Sequence, residues 1–188
     1  MFNPFKNRLV FDQNAVGITG GSVAPSILAV YEKTPVNAVA ASGVVTFTGT
    51  PVAGELLTIG AQSFVFAAAR TGIGSFEITI NANNTTQAAN AKAAINADVV
   101  NVTSDNVDGV LTVTAAVKGT SGNVIVLSTN ATGTAVSSVS DGKLDGGVNG
   151  TVGVANETCC DGSYLYHAIA VNDVTGTNWR RVTLGAVY

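Results

Sequence analysis

Residues 43–68 read GVVTFTGTPVAGELLTIGAQSFVFAA, and the fold follows from how this stretch is punctuated. Short runs of β-branched and aromatic residues are separated by turns carrying Gly and Pro, the pattern of successive antiparallel strands. The spacing predicts strands over 44–48, 56–59 and 62–67. Immediately after them, SFEITI (75–80) sets Phe76, Ile78 and Ile80 on one face of a further strand, because side chains alternate sides along an extended chain. The period then changes. In NNTTQAANAKAAINAD (83–98), Ala88, Ala91, Ala94 and Ile95 recur at helical spacing, and Asn84 with Gln87 has the form of a capping box with Asn in the Ser/Thr place. One helix of about three turns, over about 85–98, is expected.

Strands resume at VVNVTS (99–104) and VLTVTAA (110–116), joined through an Asp-Gly pair that supplies the positive φ of a tight turn. GNVIVLS (122–128) reads as another strand, apolar at its centre and so buried on both faces. Residues 42–148 therefore form a mainly β, α+β module: an antiparallel sheet or sandwich with one short helix. Residues 1–41 read as an N-terminal extended arm. MFNPFKNRLVF (1–11) is too short to close a core, and Pro25 and Pro35 keep the run VAPSILAVYEKTP (23–35) off a central strand. Residues 149–188 carry two strong strand signals, YLYHAIAV (164–171) and NWRRVTLGAVY (178–188), read as a C-terminal β-hairpin motif. Such a hairpin is marginal alone and needs cover.

Composition limits the function. Charged residues make up 11% of the 188-residue chain and the net charge is −3, which leaves no clustered cations for phosphate neutralisation and excludes a nucleic-acid role. No stretch approaches the apolar length of a membrane span, and the first residues lack the pattern of a secretory signal, so synthesis in a cytoplasm is expected. The Asn-x-Thr triplets at Asn84, Asn101, Asn130, Asn149 and Asn156 then reflect an Asn- and Thr-rich composition.

Chemical sites are sparse. Cys159-Cys160 beside Asp161, with His167 following, raises a metal hypothesis, but adjacent cysteines match no common zinc spacing. His167 is the only histidine, and no Gly-x-Ser-x-Gly elbow exposes Ser163 as a nucleophile. The acidic groups at 105–108 and 141–147 lack a full calcium loop and read as turns. No enzyme activity, metal or cofactor is expected. The cluster TGTNWRRVTLGAVY (175–188) has the aromatic-plus-Arg composition of an interface anchor, with Trp179, Arg181 and Thr183 on one side and Arg181 expected to stack beside Trp179.

Residues 43–66, 85–98 and 111–128 resemble a β-rich module of phage tail and capsid accessory proteins. They share its Gly-Pro-type first turn, the strand pair around Thr58-Ile59-Gly60, the AAIN helix and the TA…G…GN loop. Residues 150–188 are similar to a short β motif of phage fibre and head-decoration proteins that pairs a YLY strand with a W-[KR]-R-V strand. Tyr164, Leu165, Tyr166, Trp179, Arg180, Arg181 and Val182 match, whereas the pattern carries Cys where His167 or Ala168 stands. The resemblance implies a non-enzymatic virion protein, a capsid decoration or head-fibre subunit. The alternatives are a tail, neck or baseplate fibre component and a carbohydrate-binding surface module. It implies docking on a major capsid or other virion protein through Phe2, Phe5, Lys6, Arg8 and Phe11. It also implies a homo-oligomer, a trimer, packed through Tyr164, Tyr166, His167, Trp179, Arg181 and Tyr188. Host-surface glycans are further candidate partners.

Overall fold

The computed structural model describes residues 31–137, 139–161 and 163–183. In chain order the elements are β1 (Tyr31–Glu32), β2 (Ser42–Phe47), β3 (Leu56–Ile59), β4 (Gln62–Ala67), β5 (Glu77–Thr79), α1 (Asn84–Asp98), β6 (Val102–Val107), β7 (Val110–Ala115), a 3₁₀ turn (Thr120–Val124) and β8 (Leu127–Thr129). The remainder are β9 (Thr134–Ser137), β10 (Val139–Ser140), β11 (Lys143–Leu144), β12 (Thr158–Cys160), β13 (Tyr164–Ala168) and β14 (Trp179–Thr183). The result is a mixed fold of several largely antiparallel sheets and one short helix. It divides into two compact units, one over Ala38–Gly150 and one assembled from the segments on either side.

In the central unit, one sheet has the order β6-β7-β2-β9, antiparallel throughout, and a second has the order β5-β4-β3-β8. Alternation works as expected along β2, where Gly43, Val45 and Phe47 are buried and the residues between them are half-exposed. Both sheets send apolar side chains into one buried cluster with the helix: Phe47, Leu57, Ile59, Phe64, Phe66, Ile78, Leu111, Val113 and Leu127 meet Ala88, Ala91, Ala94 and Ile95. Phe47 and Phe66 meet edge to face at 6.4 Å between centroids, an arrangement their ring quadrupoles favour. Gly43 is required here by space. A Cβ on it would lie 2.6 Å from Leu127 and 2.9 Å from Leu144.

The helix lies on β5, β6, β7 and β2, and its alanines permit that close approach. Its cap differs from the expected one. Asn83, one residue earlier than Asn84, is the N-cap and accepts from the Thr86 N–H at 3.0 Å, while Gln87 is buried and accepts from the Asn81 N–H. Two side chains thus share the work of closing the helix start.

Two other expectations change. GNVIVLS is not one buried strand: residues 120–124 form the 3₁₀ turn, Val124 is 69% exposed, and the strand begins only at Leu127. Ile125 instead donates its N–H to Gly122 and accepts from Leu144, which ties the turn to β11. The strand of SFEITI runs parallel to β4, so residues 68–76 must carry the chain back along the sheet. That return is pinned by Asp98, the last residue of α1. Its carboxylate accepts from Arg70 Nη2 at 2.6 Å, Gly74 N–H at 2.7 Å and Phe76 N–H at 3.2 Å. Phe76 itself sits at φ 51°, a left-handed conformation that a bulky residue adopts only when held there.

In the β6–β7 turn the positive φ falls on Asp108, at 52°. The second unit contains the four-stranded sheet β1-β12-β13-β14, with β1 parallel to β12 and the other pairs antiparallel. Among the described residues Tyr31–Glu32 stands at one end of that sheet; residues 23–30 of the run VAPSILAVYEKTP lie outside the described residues.

Candidate functional site

The C-terminal sheet gathers the residues singled out in the sequence. Pairing aligns Tyr166 with Arg181 and Ala168 with Trp179 on one face, and Leu165 with Val182 and His167 with Arg180 on the other. The first face is filled from within its own unit. Cys159, Tyr166, Ala168 and Trp179 form a small buried cluster, with Tyr164 packed against it.

Trp179 is the centre of that cluster and is 3% exposed. Its indole N–H donates to the Thr151 carbonyl at 2.7 Å, which satisfies the polar handle that a buried Trp carries. Lys33 Nζ stands 4.8 Å from the ring centroid, while bonding Glu157 at 2.7 Å and the Val152 carbonyl at 2.9 Å. Gly153 lies against the indole so closely that any Cβ there would collide with it. Asn172, fully buried, donates to the Thr151 carbonyl and accepts from the Asn178 N–H. It fixes the loop that delivers the chain into β14.

Arg181 does not stack on Trp179. Its guanidinium lies over Tyr164, 4.5 Å from the ring centroid, because the indole faces inward and leaves the cation the half-exposed tyrosine. The Tyr166 hydroxyl donates to Asp161 at 2.6 Å. That bond, with those from the Ser163 and Tyr164 N–H groups, holds the Asp161 carboxyl below its ordinary value, and the same bond raises the Tyr166 hydroxyl.

The opposite face is open. Glu32, Cys160, Leu165 and Val182 form one row across the four strands, and Thr158, His167 and Arg180 form the next. Val182 is 67% exposed, and His167 is exposed with Nδ1 3.3 Å from the Thr158 hydroxyl.

The two cysteines point to opposite faces, as neighbours on a strand must, so they cannot both ligate one ion. Burial pushes the Cys159 thiol from 9.0 up to about 11. Among the described residues no group of three or more His, Cys, Asp or Glu side chains converges. Asp108 and Asp141 occupy left-handed turn positions, and Asp145 accepts from the Gly146 N–H, as turn chemistry requires. No helix among the described residues is long and apolar enough to cross a membrane.

Phe2, Phe5, Lys6, Arg8, Phe11 and Tyr188 lie outside the described residues. Sequence reasoning missed Asn37, Lys33 and Glu157. The Asn37 amide bonds both backbone groups of Trp179 across 142 positions, a separation that no local pattern announces. No family model matches this chain, and neither a curated protein nor a solved structure matches it.

Proposed function

We propose that this chain is a structural subunit of a phage particle, a head-decoration or head-fibre protein that docks on the shell and acts without catalysis. The observation that carries the reading is the open face of the C-terminal sheet, where Leu165 and Val182 lie side by side beside Cys160. The other face of that sheet is occupied by its own cluster around Trp179. A small sheet that leaves Val182 exposed and Leu165 and Cys160 only half-buried is what a subunit needs if neighbours complete it. The sparing use of charge, 11% of residues, supports the same reading, as does the resemblance of residues 43–66, 85–98, 111–128 and 150–188 to phage accessory modules.

On this reading the two four-stranded sheets of the central unit form a sandwich that projects outward, and β13 with β14 forms the hairpin on which copies trimerise. His167, Leu165 and Val182 would meet the neighbour directly, while Trp179, Tyr166, Tyr164 and Arg181 hold the strands in place from the other face. Because the indole is buried, a glycan platform built on Trp179 has little to offer a sugar ring. Residues 1–11 would supply the shell anchor, with Phe2, Phe5 and Phe11 as the apolar pegs and Lys6 and Arg8 as the charged ones.

Quantitative mass spectrometry of purified particles tests the role. The expected result is a copy number per particle that matches a recurring symmetry position of the shell, and its loss when residues 1–11 are deleted. Particles devoid of the chain would overturn the proposal. Light scattering on the isolated protein tests the oligomer: three copies are expected, and a lone chain at micromolar concentration would remove the trimer.

A further inference from the structure

We propose that the outer edge of β14 receives an extended acidic segment of a partner protein as an added strand, beginning where Asn37 stops. Among the described residues β14 is last in its sheet, and no described strand pairs with its outer side. The Asn178 carbonyl accepts from the Ile169 N–H on the β13 side, whereas the N–H and C=O of Trp179 both go to Asn37, at 3.1 and 3.2 Å. Alternation along a strand then turns the peptide groups of Arg180 and Val182 toward β13 and those of Arg181 and Thr183 outward.

Asn37 thus does for Trp179 what a residue of an adjoining strand would do, donating once and accepting once. At Arg181 and Thr183 no described residue takes up that role. The exposed pair of groups is the template used in strand addition, where main-chain bonds give affinity and side-chain pockets give selectivity. A cleft of about 390 Å³ runs along this edge, walled by Asn37, Tyr166, Trp179, Arg180 and Arg181.

Charge decides the occupant. Arg180 and Arg181 are both exposed and project to opposite faces, so acidic side chains at successive positions of an incoming strand would each meet a guanidinium. Arg181 is steadied over Tyr164 at 4.5 Å, and Arg180 is turned by bonds to the Thr177 and Trp179 carbonyls. A second copy of β14 is a poor partner. Centred on Arg181, an antiparallel pair would place Arg181 opposite Arg181, and like charges directly opposite destabilise a sheet. The same two cations that repel a copy attract an acidic strand. This proposal does not depend on the particle reading.

The test uses the full chain and a blocked eight-residue peptide, Thr-Glu-Glu-Thr-Thr-Glu-Glu-Thr, which offers Glu to both faces of an added strand, with its Lys-for-Glu counterpart as control. Trp179, the only tryptophan, reports binding by its emission, and amide exchange followed by NMR reports the edge. The acidic peptide should bind saturably, more weakly in high salt, and slow exchange at Arg181 and Thr183 by about tenfold or more. The lysine peptide should do neither. Thr183→Pro, which removes an outward N–H, should abolish binding while leaving the thermal transition in place, and Arg180→Glu with Arg181→Glu should reverse the peptide preference. Equal binding of both peptides, or no added protection, would overturn the proposal. So would edge amides that are already protected without peptide, in a concentration-independent manner if the chain's own segment sits there or a concentration-dependent one if a copy does. Particle incorporation is measured separately, so either reading can fail alone.

Discussion

Two adjacent sulfurs on β12 experience different surroundings because a strand sends neighbours to opposite faces. Cys159 is buried, and burial pushes its thiol up to about 11, whereas Cys160 lies half-buried on the open face. A thiol reagent at pH 8 should therefore modify one cysteine per folded chain and two after denaturation, and Cys160→Ser should silence the native reaction. The linkage has a definite sign. Because the folded value lies above the unfolded one, the contribution of Cys159 to stability is complete below about pH 9 and is lost as pH rises through 11. Trp179 belongs at this scale too. Trp179→Ala removes a buried ring, its bond to Thr151 and the surface on which Lys33 rests, so its unit should lose about 3 kcal/mol or more. Hydrogen exchange should show the loss along β12 to β14 and not along β2 to β9.

At the scale of the element, the crossing from β4 to β5 is the least conventional part of the chain, since parallel neighbours are usually joined by longer connections. Asp98 makes the short route workable. Burial by itself would raise its carboxyl, but bonds from the Gly74 N–H, the Arg70 guanidinium and the Phe76 N–H outweigh that and hold it below the ordinary value. A depressed carboxyl stabilises the fold above its unfolded value, near pH 4, and the benefit fades as pH falls through the folded value. Urea titrations at pH 7 and pH 3 should show the central unit weaker in acid, and Asp98→Ala should flatten much of that dependence at a cost of about 3 kcal/mol at neutral pH.

Most of the strands and the single helix were legible because each has its own period, and β3 and β4 begin and end where Gly and Pro allow. The direction of β5 was not legible, because alternation says which face a residue takes and nothing about parallel or antiparallel pairing. The 3₁₀ turn at 120–124 was hidden by the apolar run Val124 to Leu127, which periodicity alone cannot distinguish from a buried strand. At the candidate site, Trp179 and Arg181 stood out by composition, but Asn37 and Lys33 acquire their roles only through contacts across more than a hundred positions.

For the molecule as a whole, the division into two units makes a direct prediction. The central cluster is complete within Ala38–Gly150, so residues 38–150 expressed alone should melt in one cooperative transition by calorimetry. Absence of a transition would show that the unit needs its flanks. The other unit cannot be cut out in the same way, since Lys33 meets Glu157 and Asn37 meets Trp179 across the inserted central unit.

That Asn37 amide, bridging to a tryptophan made far later, sets an order of events during synthesis. Val36 and Asn37 are made long before their partners, and at about 5–20 residues per second Asn37 waits about 7–28 seconds for Trp179 to be added. The interval is ample for the intervening residues to collapse first, which brings the two flanks near each other and shortens the loop that remains to be closed. A ribosome stalled before Trp179 should hold a nascent chain with one protease-resistant core and with Lys33 still open to trypsin.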